Sequence, residues 1–123
     1  MIFKGELGKY FETGERIVCQ GERGDCMYVI QSGKVEVVRE VLGGSVRLAV
    51  LEKGDLFGEM ALFSDEPRSA TVRALGEARV LTIDKRGFLK RVHQDPSLAF
   101  RILQKMSERI RALDSEIAQL KSP

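Results

Sequence analysis

Glu59, Arg68 and Ser69 sit in one short run, FGEMALFSDEPRSATV from Phe57 to Val72, which brings an acid, a base and a hydroxyl together. The planar fork of an arginine can hold two phosphate oxygens at once, through charge-assisted hydrogen bonds worth roughly 1.5–3 kcal/mol each. Ser69 adds a hydroxyl donor beside it. Glu59, when ionised, only accepts hydrogen bonds and repels a bare phosphate, so it must address another part of a ligand, such as a ribose hydroxyl. A helical turn over Met60–Phe63 offers leading backbone amides to an anion, and Gly58 has no Cβ to obstruct close approach. The chemistry implied is recognition of a sugar phosphate.

The elements around this run must present it. Asp65-Glu66-Pro67 breaks the helical turn, and Arg68–Val72 reads as a returning strand, so the segment is a strand, a turn of helix and a strand. Upstream and downstream, apolar runs alternate with glycine turns at Arg16–Gln20, Met27–Gln31, Lys34–Val41, Val46–Leu51, Ala70–Ala74 and Ala78–Ile83. That spacing predicts an antiparallel sandwich or barrel, with a hairpin at Gly43-Gly44 and a bulge within Lys34–Val41, where alternation is imperfect. Cys19 and Cys26 fall in these strands and read as reduced core residues rather than a disulfide.

The run resembles the phosphate-binding cassette of the cyclic nucleotide-binding domain family, which includes catabolite activator proteins and the regulatory subunits of cyclic-nucleotide-dependent kinases. The resemblance rests on Gly58-Glu59, the small Ala61, the nine-residue step from Glu59 to Arg68, and the Pro67-Arg68-x-Ala70-Thr71 run. It extends to Gly14-Glu15, Gly21-Glu22-Arg23-Gly24-Asp25, Tyr28-Val29-Ile30-x-Ser32-Gly33 and Gly54-Asp55, covering roughly Gly14 to Leu113. It implies that Glu59 binds the ribose 2′-hydroxyl, that Arg68 and Ser69 bind the cyclic phosphate, and that the amides of Met60 and Ala61 complete the cradle. It also implies a β-roll of the jelly-roll type over about residues 10–84, with the cassette inserted between two strands, followed by C-terminal helices over about 85–121. The fold class is thus mainly β with C-terminal helices, in a single domain of residues 1–123. Met1–Lys9 is shorter than the helical segment that precedes the first strand in the family.

After Asp84 the periodicity turns helical. Lys85–Val92 reads as a short helix, Gln94-Asp95-Pro96 interrupts it, and Pro96–Leu120 reads as a long helix with proline in its first turn. Leu103, Met106, Ile110, Leu113, Ile117 and Leu120 follow steps of 3, 4, 3, 4 and 3, a heptad seam. Ile110 and Ile117 fall at a, with Leu113 and Leu120 at d, the pattern that favours a parallel two-stranded coil and hence a homodimer. Flanking charges agree, since Arg109 would meet Asp114 and Glu116 would meet Lys121. The competing reading is one amphipathic helix packed on its own roll.

The family resemblance further implies that the helix after the roll closes over the base, which places Leu113 and Asp114 near the ligand. Asp114 has two readings, an acceptor for the amino group of adenine or the N1 and N2 hydrogens of guanine, or the ion-pair partner of Arg109, and the second is preferred. Ser69 is likewise open between phosphate and a guanine amino group. The ligand is expected to be cAMP in preference to cGMP, with no further cofactor. Arg68→Ala is expected to abolish most affinity while leaving unfolding of the unliganded protein nearly unchanged.

Composition sets bounds on other functions. At 123 residues, 43% hydrophobic and 31% charged, the chain suits one small core, and no segment approaches the length of a membrane span or has the pattern of a signal peptide. A cytoplasmic location is the expectation. Twenty basic and eighteen acidic residues leave a net charge of +2, which gives no footprint for nucleic acid. His93 is the single histidine and reads as a helix-end residue, so a metal-dependent enzyme on a β-roll lacks its ligands. Two cysteines cannot supply four thiolates to an iron–sulfur cluster. No nucleophile–base set is available, and an enzyme is not expected. The reading is a cyclic nucleotide sensor or regulatory domain in signal transduction; the alternatives are a ligand-free scaffold and dimerisation module, or a fragment of a cyclic nucleotide-responsive transcription regulator.

Overall fold

The computed structural model describes residues 6–121. Of these, residues 6–87 and residues 88–121 form two compact units, a sheet and a helical segment. The sheet unit contains β1 (Lys9–Phe11), β2 (Arg16–Val18), β3 (Cys26–Val41), β4 (Gly44–Glu52), β5 (Leu56–Phe57), a 3-10 turn (Glu59–Leu62) and β6 (Thr71–Asp84). All pairings are antiparallel, in the order β1-β6-β3-β4, with β2 also on β6 and β5 also on β3.

Two strands are longer than the sequence pattern suggests. Met27–Gln31 and Lys34–Val41 are halves of β3, and the runs at 70–74 and 78–83 merge into β6. Glycine at 33 reads as a stop in sequence, yet here it is a kink within a continuous strand. Gly33 has φ +78°, and a Cβ on it would lie 2.0 Å from the Glu77 carbonyl oxygen, so the two long strands approach there as only glycine permits. The register slips between Ile30 and Ser32 and again between Gly33 and Lys34. Such bulges add twist and bend a sheet. The bulge expected within Lys34–Val41 lies between Val37 and Val38. The hairpin turn is Leu42-Gly43, flanked by the Val41–Gly44 pair.

Phe11, Val18, Ile30, Val35, Phe57, Val72, Ala74, Ala78 and Val80 form the core of this unit. Opposite them, Glu36 on β3 takes hydrogen bonds from Arg73 on β6 and Arg47 on β4, tying three strands across one face. β1 and β5 carry no alternation that the sequence could signal, being only three and two residues long. Cys19 lies outside any strand and Cys26 opens β3, and both are free and half-buried rather than core residues.

The Asp84 carboxylate accepts the Gly87 amide at 2.6 Å, a cap at the start of α1 (Lys85–Gln94). Asp95 does the same for α2 (Ser97–Lys121), accepting from the amide and hydroxyl of Ser97. The helices therefore start where capping residues place them. α2 begins one residue after Pro96 and ends at Lys121. His93 lies in the last turn of α1, where a cation suits the exposed carbonyls. Leu98 and Ile102 are buried, whereas Leu103, Ile110, Leu113, Ile117 and Leu120 are exposed.

Candidate functional site

β5 delivers the chain to Gly58, whose φ of +75° turns it sharply into the 3-10 turn. Four residues make up that turn, beginning at Glu59 rather than Met60. The returning strand also starts later than its sequence suggests, at Thr71, so Arg68, Ser69 and Ala70 lie in a loop. Backbone pairing explains the shift. Arg68 donates its amide to the Glu22 carbonyl and accepts from the Gly21 amide, both at 2.8 Å, which ties it to the turn before β3 rather than to the sheet.

The Arg68 side chain runs inward from this tether. Its Nη1 donates to the Gly58 carbonyl at 3.1 Å and its Nη2 to the Cys26 carbonyl at 2.8 Å. The guanidinium lies 5.7 Å from the ring centre of Tyr28, which in turn stacks on Phe57 at 5.0 Å. Gly24 and Gly58 face the same guanidinium. Glu59, next to Gly58 in the chain, is only 4% exposed. The structure thus brings Arg68 onto the carbonyl of Gly58, the residue that precedes Glu59 in the chain. Ser69 and Met60 are exposed and Ala61 is half-buried.

The short turn changes the expected balance of the cradle. The Ala61 amide donates to the Gly58 carbonyl at 3.2 Å, closing the turn on itself. Four 3-10 residues also align few peptide dipoles, so most of the positive charge here belongs to Arg68. Leu113 and Asp114 lie on α2 in the helical unit, both exposed.

Sequence reasoning left several participants unassigned. Tyr28 and the Cys26 carbonyl bind Arg68 across forty and forty-two positions, and neither distance has a local signature. Arg23 reaches the Asp65 carbonyl, joining the 21–25 turn to the loop after the 3-10 turn. The Cys26 thiol donates to Asp25 at 3.1 Å. Burial, then that hydrogen bond and the nearby carboxylates, push the thiol up to about 11, so it stays protonated at neutral pH and is a poor nucleophile. Burial likewise raises Tyr28 above its usual value, against the opposing effect of Arg68. A cavity of about 320 Å³ lies between the 3-10 turn and the 21–25 turn, lined by Gly24, Asp25, Ala61, Phe63, Ser64 and Lys85.

Residues 8–95 match the family described as "Cyclic nucleotide-binding domain". The chain belongs to that family. This cyclic nucleotide-binding domain is 43% identical over 81 residues to a cAMP-dependent protein kinase regulatory subunit of Mucor circinelloides, covering 66% of this chain and 19% of that one. It is 40% identical over 84 residues to the cGMP-dependent protein kinase egl-4 of Caenorhabditis briggsae, covering 66% and 11%. Among solved structures, the catabolite activator protein of Thermus thermophilus superposes with a TM-score of 0.83 at 30% identity, covering 97% of this chain and 62% of that one. The domain therefore spans only part of the length of these proteins. Its six-stranded antiparallel sheet followed by two helices is the architecture the resemblance implied.

Among the described residues, no group of three or more His, Cys, Asp or Glu side chains is arranged to hold a metal ion. No helix among them is long and apolar enough to cross a membrane.

Proposed function

We propose that this domain is a cyclic nucleotide sensor in which Arg68 and Ser69 bind the cyclic phosphate and Glu59 binds the ribose 2′-hydroxyl. The observation that carries this reading is the shared anchorage of the two charges: Arg68 is bonded to the carbonyl of Gly58, and Gly58 leads directly into the buried Glu59. A ligand that satisfies both must offer an anion and a hydroxyl a few ångströms apart, as a ribose cyclic phosphate does. The amides of Met60 and Ala61 supplement Arg68, that of Ala61 by exchanging its bond within the turn.

cAMP is the favoured ligand over cGMP. The preference rests on the resemblance to cAMP-dependent regulatory subunits, while Asp114, where it does not pair with Arg109, accepts from either base, and similar proteins are named for each nucleotide. Leu113 would cover the base. Ligand binding repositions the C-terminal helix only if the nucleotide binds the closed arrangement more tightly than the open one. A homodimer through Leu103, Met106, Ile110, Leu113, Ile117 and Leu120 would carry that movement to a partner, consistent with a regulatory rather than catalytic role.

Side-by-side calorimetric titration with cAMP, cGMP and a cyclic dinucleotide tests the reading. Saturable binding of a mononucleotide, with cAMP tighter than cGMP, is the expected result. Absence of binding to all three would leave a scaffold role.

A further inference from the structure

We infer that Gly24 is a positioning residue for Arg68, one that sets the guanidinium in its ligand-binding orientation by leaving a slot with no Cβ. This inference rests on the reading of Arg68 as the phosphate anchor. A Cβ built on Gly24 would lie 2.4 Å from Nη2, 2.7 Å from Nε and 2.8 Å from Cζ of Arg68. The Nε and Nη2 side of the guanidinium therefore occupies the space that a side chain at position 24 would fill. Around its edge, the carbonyls of Cys26 and Gly58 each accept one of its N–H groups, and Tyr28 lies over it. Five donors sit in a fixed fork, so spending two of them on these carbonyls fixes where the others point.

Gly24 and Gly58 both touch the guanidinium, yet they differ as tests. Gly58 needs its left-handed φ of +75°, so any side chain there strains the backbone as well as crowding Arg68. Gly24 has an ordinary backbone conformation for an L-residue, and the contacts its Cβ would make are with the far end of a flexible side chain. Alanine at 24 thus leaves the fold intact and displaces one group. Ordinary van der Waals contact begins at 3.4 Å, so Nη2 must retreat by about 1 Å. Binding constellations tolerate misplacement of only about 0.5 Å, and an error of about 1 Å can cost about 100-fold.

The experiment compares cAMP and cGMP titrations of the wild-type chain, Gly24→Ala and Arg68→Ala, with the Arg68 side-chain Nε–Hε resonance recorded for the free wild type and Gly24→Ala. Gly24→Ala is expected to weaken binding at least tenfold, to lower the melting temperature by no more than Arg68→Ala does, and to shift the Arg68 resonance while those of Arg47 and Arg73 stay in place. If Arg68→Ala loses affinity but Gly24→Ala binds as the wild type does, or leaves the Arg68 resonance unmoved, the positioning role is overturned and the anchor stands. If Arg68→Ala binds normally, the anchor itself falls and the inference with it.

Discussion

Arg68 Nη2 donates to the carbonyl of Cys26 at 2.8 Å, joining the loop before β6 to the first residue of β3 across forty-two positions of sequence. The Arg68 side chain is therefore held by the folded scaffold itself. A guanidinium already fixed loses less rotational freedom on binding than a mobile one, which favours affinity.

Arg68→Ala tests both roles of this residue. Removing two charge-assisted hydrogen bonds to phosphate, at roughly 1.5–3 kcal/mol each, should weaken cyclic nucleotide binding by two orders of magnitude or more. The sequence alone leads one to expect unchanged unfolding, but the bonds to Gly58 and Cys26 alter that expectation. Loss of both at a partly exposed site should lower the stability of the free protein by about 1–2 kcal/mol. Calorimetric titration and urea unfolding measure the two effects separately, and full retention of affinity would refute the assignment.

Glu59→Gln addresses the ribose. An ionised carboxylate takes a stronger hydrogen bond from a hydroxyl than a neutral amide does, and the 4% exposure of Glu59 keeps water from substituting. The wild type should prefer cAMP to 2′-deoxy-cAMP by at least tenfold, and the variant should lose most of that preference. Equal discrimination in both proteins would move the hydroxyl contact elsewhere.

What could be read from the sequence divides along the range of each interaction. The 3-10 turn and the two helices were legible because Gly58-Glu59 and Gln94-Asp95-Pro96 act within a few residues of themselves. The joining of strands at Gly33 was not, since a glycine with positive φ ends a strand in one setting and kinks it in another. Only the contact with Glu77 on β6 decides between these outcomes. The surroundings of Arg68 were hidden for the same reason, because Gly24, Cys26 and Tyr28 meet it through tertiary structure.

Glu36 supplies a pH dependence. Hydrogen bonds from Arg73 first, then Arg47, hold its carboxyl below the ordinary carboxylate range. A depressed native value means that the folded state favours the charged form. The stabilisation is fully present above the unfolded carboxylate value, about 4.3, and is lost as pH falls through the native one. Urea midpoints should decline below about pH 4.5, and Glu36→Gln should flatten that decline while being less stable at pH 7. An identical acid profile in the variant would assign the sensitivity to other carboxylates.

The seam on α2 makes a separate claim on solution behaviour. Ile110, Leu113 and Ile117 are 57%, 52% and 51% exposed in the single chain, and Leu120 is 86% exposed. Full burial of such a side chain is worth roughly 1.5–3 kcal/mol, so completing the burial of these half-exposed residues gains about 1 kcal/mol each. Leu103 is 64% exposed as well, so five seam residues per helix, counted on two copies, supply an apolar gain of the same order as the cost of association. Ile110→Lys places a charge at an a position in the middle of that seam, where it must either desolvate or splay the helices. Sedimentation velocity should then show a dimer for the wild type and a monomer for the variant, with the sheet unit still folded by circular dichroism. A variant that still sediments as a dimer would show that the copies associate through some other surface and that the apolar stripe has a different use.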